Sequence, residues 1–438
     1  MKLRFPAAAL LLLLAVACAK DDIGHTDAPL PPDGVPYYSY GLARIEVTTD
    51  GGVAVDSKRP EDYRPCTVKV DGGGVFESFS ARGAIRGRGN STWNWYPKKP
   101  YRLKLDEGHA LLDMRGNRDW VLLADYRDVT HMMNNVGFTL AHELGLPCAN
   151  HSRYATATLN GEDLGLYMVT EQVEEGGHRV PLDPEEGILL ALDINDGPGD
   201  VPRATDNFWS EEFWMACAVK YPRDATRKQR TAVKEAFAEL EQAIAGSRWK
   251  AVEELLDVQS MIDYILIQEI IGNVEVDNYP SMRSGFIHRY SEDSLWVMGP
   301  LWDCDGGFNY NWGDMYDHHG RGHTYFESYR NLIFGTDPYY HIGAYGSTPG
   351  DFFCSLWGFP EFVSAIKSRW ASTREDLLEA VIESIENTEE VIADAAARDL
   401  ALWGIENYNH TEEVGKLIEW LTKRFAYLNT VIPNYPTH

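Results

Sequence analysis

The sequence predicts an α+β fold, a β-rich lobe followed by an α-rich lobe, and three observations carry that expectation. Short apolar or β-branched stretches divided by glycine turns fill the first half of the chain. Apolar stripes at helical spacing dominate the second half. With 438 residues, 44% of them apolar, the chain can bury one large core or two lobes, and no second domain-sized linker divides it.

Before the first strand lies an export signal. Lys2 and Arg4 precede an unbroken apolar run over residues 5–17 that stops at Cys18. A spanning helix needs about 20 apolar residues, so the run is too short to remain as a permanent membrane helix. The small residues Ala15, Val16 and Ala17 before Cys18 look like a lipobox, with Ala15 where leucine is preferred. Ala19-Lys20-Asp21-Asp22 looks like the surface-export signal of lipoproteins in some Gram-negative bacteria. The expectation is a signal peptide over residues 1–18, lipidation at Cys18, and a flexible tether over 19–37 rich in Asp, Pro and Gly. The mature chain would then have no transmembrane helix and would sit at the outer membrane, on its outer surface.

The folded body is expected over residues 38–432, with a β-rich lobe about 38–175 and a helical lobe about 176–432. Strands are expected at residues 43–49, 66–70, 84–86 and 101–105, then at 117–126, which contains Trp120-Val121-Leu122-Leu123. Residues 154–159 and 164–170 face each other across Asn160-Gly161, a strong hairpin signal. Between them lies one helix, with Asp128 or Thr130 as cap, Met133, Val136, Leu140 and Leu144 at helical spacing, and Gly145 as stop. In the second lobe Val233, Phe237, Leu240 and Ile244 form a stripe ended by Gly246, while residues 257–271 are apolar nearly all round and read as a buried helix. Two long helical patterns close the chain, the last aligning Val414, Leu417, Leu421, Phe425 and Leu428.

Composition removes some functions. A net charge of −26 repels DNA and RNA, whose sequence-independent affinity comes from basic charge, so no nucleic-acid partner is expected. Cys66, Cys148, Cys217, Cys304 and Cys354 are widely spaced and form no CxxC pair, which excludes a zinc-finger site, though a disulfide or two would suit an oxidising compartment.

Three segments carry candidate chemistry. Residues 82–104 hold Arg82, Arg86, Arg88, Lys98, Lys99, Arg102 and Lys104 and no acidic residue, and strand periodicity puts Arg86 with Arg88, and Arg102 with Lys104, on common faces suited to a polyanion. The alternative is that these cations pair with the carboxylates in surplus elsewhere. In Asp303-Cys304-Asp305-Gly306-Gly307, two carboxylates at a strand end can share a hard cation; a calcium loop lacks its ligands here, and a structural Asp turn is the alternative. The buried helix runs into Gly272-Asn273-Val274-Glu275-Val276-Asp277-Asn278, a rigid support for a general base and a metal ligand, or simply a turn.

Taken in order, the motifs Arg86-Gly87-Arg88-Gly89-Asn90-Ser91-Thr92-Trp93, Lys98-Lys99-Pro100-Tyr101-Arg102-Leu103-Lys104-Leu105-Asp106, Trp120-Val121-Leu122-Leu123, Asn160-Gly161 through Gly165-Leu166-Tyr167, Gly272-Asn273 and Gly299-Pro300-Leu301-Trp302-Asp303-Cys304-Asp305 resemble the spore coat protein H (CotH) kinase family. The resemblance implies a divergent two-lobed protein-kinase-like fold, with ATP and magnesium or manganese as cofactors. It implies that Arg88 and Lys104, flanked by Arg86 and Asn90, contact phosphates, and that Asp303 and Asp305, with Asn278, hold the metal. The catalytic acid corresponds to Asp277 or Glu275, and Glu143 or Glu171 would pair with the phosphate-binding lysine. The activity implied is atypical Ser/Thr protein kinase transfer of the ATP γ-phosphoryl group to a protein substrate. A rival from another class is an inactive surface adhesin or glycan-binding lipoprotein on the same fold, to which the aromatic residues Trp296, Trp302, Phe308, Tyr310, Trp312, Tyr316, Tyr325, Phe326 and Tyr329 would contribute sugar-stacking rings.

Overall fold

Alternating burial in the first strands shows how the chain closes on itself. In β1 (Leu42–Thr49) Ala43, Ile45 and Val47 point inward, and in β2 (Arg64–Asp71) Cys66, Val68 and Val70 do the same. A period of two lines one face of each strand with apolar side chains. β3 (Phe79–Gly87), β4 (Tyr101–His109) and β5 (Asn117–Leu123) continue the antiparallel run, with a short helix α1 (Ser91–Trp95) between β3 and β4. The hairpin β6 (Ser152–Leu159) and β7 (Glu162–Glu171) completes a closed barrel in the order β1-β2-β3-β4-β5-β7-β6, sealed by parallel pairing of β1 with β6. The computed structural model describes residues 41–193, 207–277, 283–308, 329–330, 332–333, 349–405 and 407–435. The signal peptide, Cys18 and the whole tether lie outside them.

The helix α2 (Met133–Leu144) crosses between β5 and β6 and ends at Gly145 in the left-handed conformation, φ 71°. Asp128 serves its first turn from the preceding loop, its Oδ2 accepting from the Met133 amide at 2.8 Å. Eleven of its residues are buried, because one side faces the barrel wall and the other faces the second lobe.

The second lobe is more than helical. It contains a five-stranded sheet in the order β12-β11-β8-β10-β9, built from β8 (Ile188–Leu192), β9 (Asn207–Trp209), β10 (Ala216–Tyr221), β11 (Gly285–Arg289) and β12 (Val297–Met298). β8 is central and buried at every position, so its sequence, Ile-Leu-Leu-Ala-Leu, lacks the alternation that marks a half-exposed strand. The rest of the lobe is helical, with α3 (Arg227–Ala245), α4 (Trp249–Leu255), α5 (Val258–Ile271), α6 (Pro349–Cys354), α7 (Pro360–Leu402) and α8 (His410–Val431); α5 lies against β12 of the sheet and α7 against β7 of the barrel. α5, capped by Asp257 and stopped by Gly272 at φ 61°, is buried from Ser260 to Ile271 and touches α2, α7 and α8.

Two large apolar cores result among the described residues, beside a small cluster of Val129, Leu400 and Ile405. One fills the barrel around Leu103, Trp120 and Tyr167; the larger joins the outer faces of β5 and β7, through Val121 and Met168, to α2, α5 and the sheet. The described cysteines Cys66, Cys148, Cys217, Cys304 and Cys354 are free thiols. Among the described residues no helix is long and apolar enough to cross a membrane.

Candidate functional site

Where the barrel rim meets the second lobe lies a cavity of about 550 Å³. Its barrel-side wall is Lys58, the segment Arg88 to Thr92 that follows β3, Arg127 from the loop before α2, and Gln172 with Val173 at the end of β7. Its opposite wall is Asp193 at the end of β8, Lys220 of β10, Arg283, Ser284 and Phe286 around the start of β11, Glu275, and Trp302 with Asp303, Asp305 and Gly306. Lys58, Arg88 and Arg127 thus face a wall that carries four carboxylate residues together with Lys220 and Arg283, in a chain of strongly negative net charge.

The aspartate turn is built for close approach. Asp303 sits in the left-handed region at φ 52°, and its Oδ2 accepts from Ser284 Oγ at 2.5 Å. Ser284 in turn donates its amide to Asp193 Oδ2 at 3.1 Å, tying two acidic residues together. Asn273 Nδ2 donates to the Asp303 carbonyl at 3.4 Å, and Gly306 leaves room for Glu275, whose Cδ would stand 2.8 Å from any Cβ there. Across the cavity the Arg88 guanidinium lies over the Trp302 ring at 5.3 Å. Burial works against the Arg88 charge, while Asp303 and Asp305 favour it.

Crowding of like charges is strongest on the acidic wall. Burial, then the neighbouring Asp305, pushes the Asp303 carboxyl up, against the pull of Arg88. Burial together with Asp303 and Asp305 pushes Glu275 up to about 8, with Arg283 and Arg127 opposing. A divalent cation would relieve this repulsion. Among the described residues no group of three His, Cys, Asp or Glu side chains is arranged to hold a metal alone. Magnesium does not require one, since it is commonly bound by one or two carboxylates with phosphate oxygens and water supplying the rest.

The sequence-predicted residues separate clearly. Arg88, Asn90, Glu275, Asp303 and Asp305 line the one cavity. Lys104 does not line it; it is on β4, its side chain 42% exposed, with Nζ 4.0 Å from Asp119. Arg86 folds back onto the carbonyls of Lys58 and Gly87 at 2.7 and 2.8 Å. The expected glutamate partner of Lys104 is not found among the described residues: Glu171 binds His151 at 2.7 Å, with Arg179 at 3.9 Å, and Glu143 is exposed near Asp376 and Glu383. The Asp277 side chain and Asn278 lie outside the described residues.

Of the seven cations in residues 82–104, six serve the fold. Arg82 pairs with Asp50, Arg102 with Asp119 and Glu174, Lys98 with Asp399, Lys99 with the carbonyls of Trp93 and Tyr96, and Arg86 and Lys104 as above. Arg88 alone lines the cavity. Lys58, Arg127, Lys220, Arg283 and Asp193 were not marked by sequence. The one available signal was position: Arg127 and Asp193 each follow the end of a strand, where α/β folds gather functional groups. Of the aromatic residues, Trp296 and Phe308, both at 0% exposure, pack in the core, and Trp302, 6% exposed, lines the cavity with its ring under Arg88. Tyr310, Trp312, Tyr316, Tyr325 and Phe326 lie outside the described residues.

A barrel lobe and a helical lobe closing on a cavity whose barrel side is basic and whose opposite side carries all four carboxylates define a two-lobed α+β protein whose site lies between its lobes. The sequence profile of the CotH kinase protein family matches residues 85–428, and the chain belongs to that family. That membership supports a kinase-like function. No curated protein matches the chain.

Proposed function

We propose that this protein is an atypical Ser/Thr protein kinase, carried as a lipoprotein on the outer surface of the outer membrane, that transfers the ATP γ-phosphoryl group to a protein hydroxyl. The observation supporting it is the placement of Arg88 and the pair Asp303 and Asp305 on facing walls of one cavity. Asp303 and Asp305 would hold magnesium or manganese, with Asn278 as a further ligand. Such a cation supplies charge neutralisation between phosphate oxygens. Arg88, Arg127, Arg283 and Lys220 offer charge-assisted donors to phosphate, which they would hold in line with the acceptor. Asp277 is assigned to orient the acceptor hydroxyl and take its proton, with Glu275 the alternative at the cavity wall. Lipid on Cys18 would keep this body at the membrane.

The test uses the purified body lacking residues 1–36. ATP should raise its melting temperature only with magnesium or manganese present, and Asp303→Asn should abolish the rise. No shift in the parent with any nucleotide, but a shift with oligosaccharides, would reject this reading for a glycan-binding one. For catalysis, labelled phosphate should reach a protein substrate with the parent and not with Asp277→Asn. Equal labelling would transfer the proton-accepting role to Glu275.

A further inference from the structure

We infer that Asn134 and Gly137 of α2 are positioning residues that fix the Asp303-Cys304-Asp305 turn, so that the seat of the barrel-side helix sets where the two carboxylates stand. The functional consequence rests on the cation-holding role proposed above; the structural link does not.

Asn134 and Gly137 are three apart and share one face of the helix. Asn134 is 3% exposed, and its Oδ1 accepts from the Cys304 amide at 2.9 Å, while its Nδ2 donates to Asp125 Oδ1 at 3.4 Å. Gly137 sits so close to the turn that a Cβ there would lie 2.1 Å from Cys304 Sγ and 2.7 Å from its Cβ. The absent side chain is what lets Cys304, at 0% exposure, lie against the helix. The turn needs such support because Asp303 holds a left-handed conformation, φ 52°, that a non-glycine residue adopts only under strain. Ser284 holds it from the sheet side and Asn134 from the helix side. Asp303 and Asp305 flank the anchored residue, so releasing Cys304 releases both carboxylates together.

Cys304 provides its own reporter. Its thiol is 0% exposed and packed against Gly137, so alkylation is slow while the turn is seated. Cys66 and Cys217, also at 0% exposure, lie in the barrel and the sheet and report global opening. The full chain is treated with iodoacetamide and each cysteine is followed by peptide mass spectrometry. Asn134→Ala should accelerate labelling of Cys304 by about tenfold or more, with Cys66 and Cys217 unchanged, as for a local opening. Gly137→Ala should do the same while removing no hydrogen bond and improving helix propensity, so it decides the matter if the first variant unfolds.

Cys304 labelling as slow as in the parent in both variants would overturn the assignment. So would simultaneous exposure of all three cysteines in both, since the contact would then hold the whole fold. In either variant the magnesium concentration that half-saturates the ATP-induced thermal shift should rise about tenfold; an unchanged midpoint alongside an exposed Cys304 would refute the coupling to the carboxylates. If the parent shows no ATP shift, the proposed function falls, while the labelling rates still decide whether Asn134 and Gly137 seat the turn.

Discussion

Two arginines two residues apart, Arg86 and Arg88, meet different fates because one strand ends between them. Arg86 is still on β3 and spends its donors on backbone carbonyls beside Tyr63, whereas Arg88 lies just past the strand end and turns into the cavity. Removing a charged hydrogen-bond donor costs about 1.5–3 kcal/mol. Arg88→Ala should therefore weaken magnesium-dependent ATP binding by roughly 10- to 100-fold in calorimetry. Lys104→Ala, removing an exposed cation outside the cavity, should leave it within about twofold, at the scale of surface ion pairs; equal losses in the two variants would mean that Lys104 reaches phosphate. Glu171 makes a different prediction. Burial alone would raise its carboxyl, but the His151 ring, Arg179 and the His151 amide hold it down to about 2, below its ordinary 4.5. A depressed carboxyl stabilises the fold above its unfolded pKa and loses that contribution as pH falls through its folded one. Glu171→Gln should thus cost on the order of 3 kcal/mol at pH 7, shrinking steadily between about pH 4.5 and 2, in urea melts across pH. A penalty that stayed constant from pH 7 to 2 would show that packing, not ionisation, is what Glu171 contributes.

At the level of elements, what was legible depended on whether local chemistry and burial agreed. The hairpin of β6 and β7 was readable because Asn160 and Gly161 both take positive φ, 52° and 85°, as a tight turn demands. The span of α2 was readable from its apolar spacing and its glycine stop, and α8 from its single buried stripe. β8 and β10 were not, because strands buried on both faces show no period of two and a short apolar run cannot be told from a helix by pattern alone. The same hairpin carries a constraint invisible in sequence. Gly165 lies at φ 83°, and a Cβ there would fall 2.0 Å from Asp399 Oδ1 on α7. Gly165→Ala should destabilise the protein by about 3 kcal/mol, combining left-handed strain with overpacking. Gly161→Ala, with φ 85° but open space around it, should cost only about 1 kcal/mol, the strain alone. Comparable urea midpoints for the two variants would remove the close approach of α7 as a cause.

Across the whole molecule, a site made by two lobes is only partly written in either. The paired aspartates and Arg88 stood out because carboxylates at a glycine-rich turn and cations in an acid-free stretch are locally unusual. Lys58, Arg127, Lys220 and Asp193 are locally ordinary and become a site only when the barrel rim closes on the sheet. What keeps the lobes together is therefore as consequential as the cavity residues. Asp399, near the end of α7 and 1% exposed, reaches the barrel: its Oδ1 lies 2.8 Å from Lys98 Nζ and accepts from the Leu166 amide at 2.9 Å, and its Oδ2 is 3.5 Å from His131. Lys98 is itself 0% exposed and also donates to the Leu166 carbonyl. Breaking such a pair strands a charge in a medium that cannot solvate it, so Asp399→Ala should cost about 3–5 kcal/mol. Replacing both partners with apolar residues removes the stranded charge, so Lys98→Met with Asp399→Leu should regain much of that loss. The recovery should be incomplete by about 1–3 kcal/mol, because the buried amide and carbonyl of Leu166 lose their partners. Urea denaturation of the parent, the single variant and the double variant reads all three values, and a single variant within about 1 kcal/mol of the parent would mean that the lobes are held by apolar contact alone.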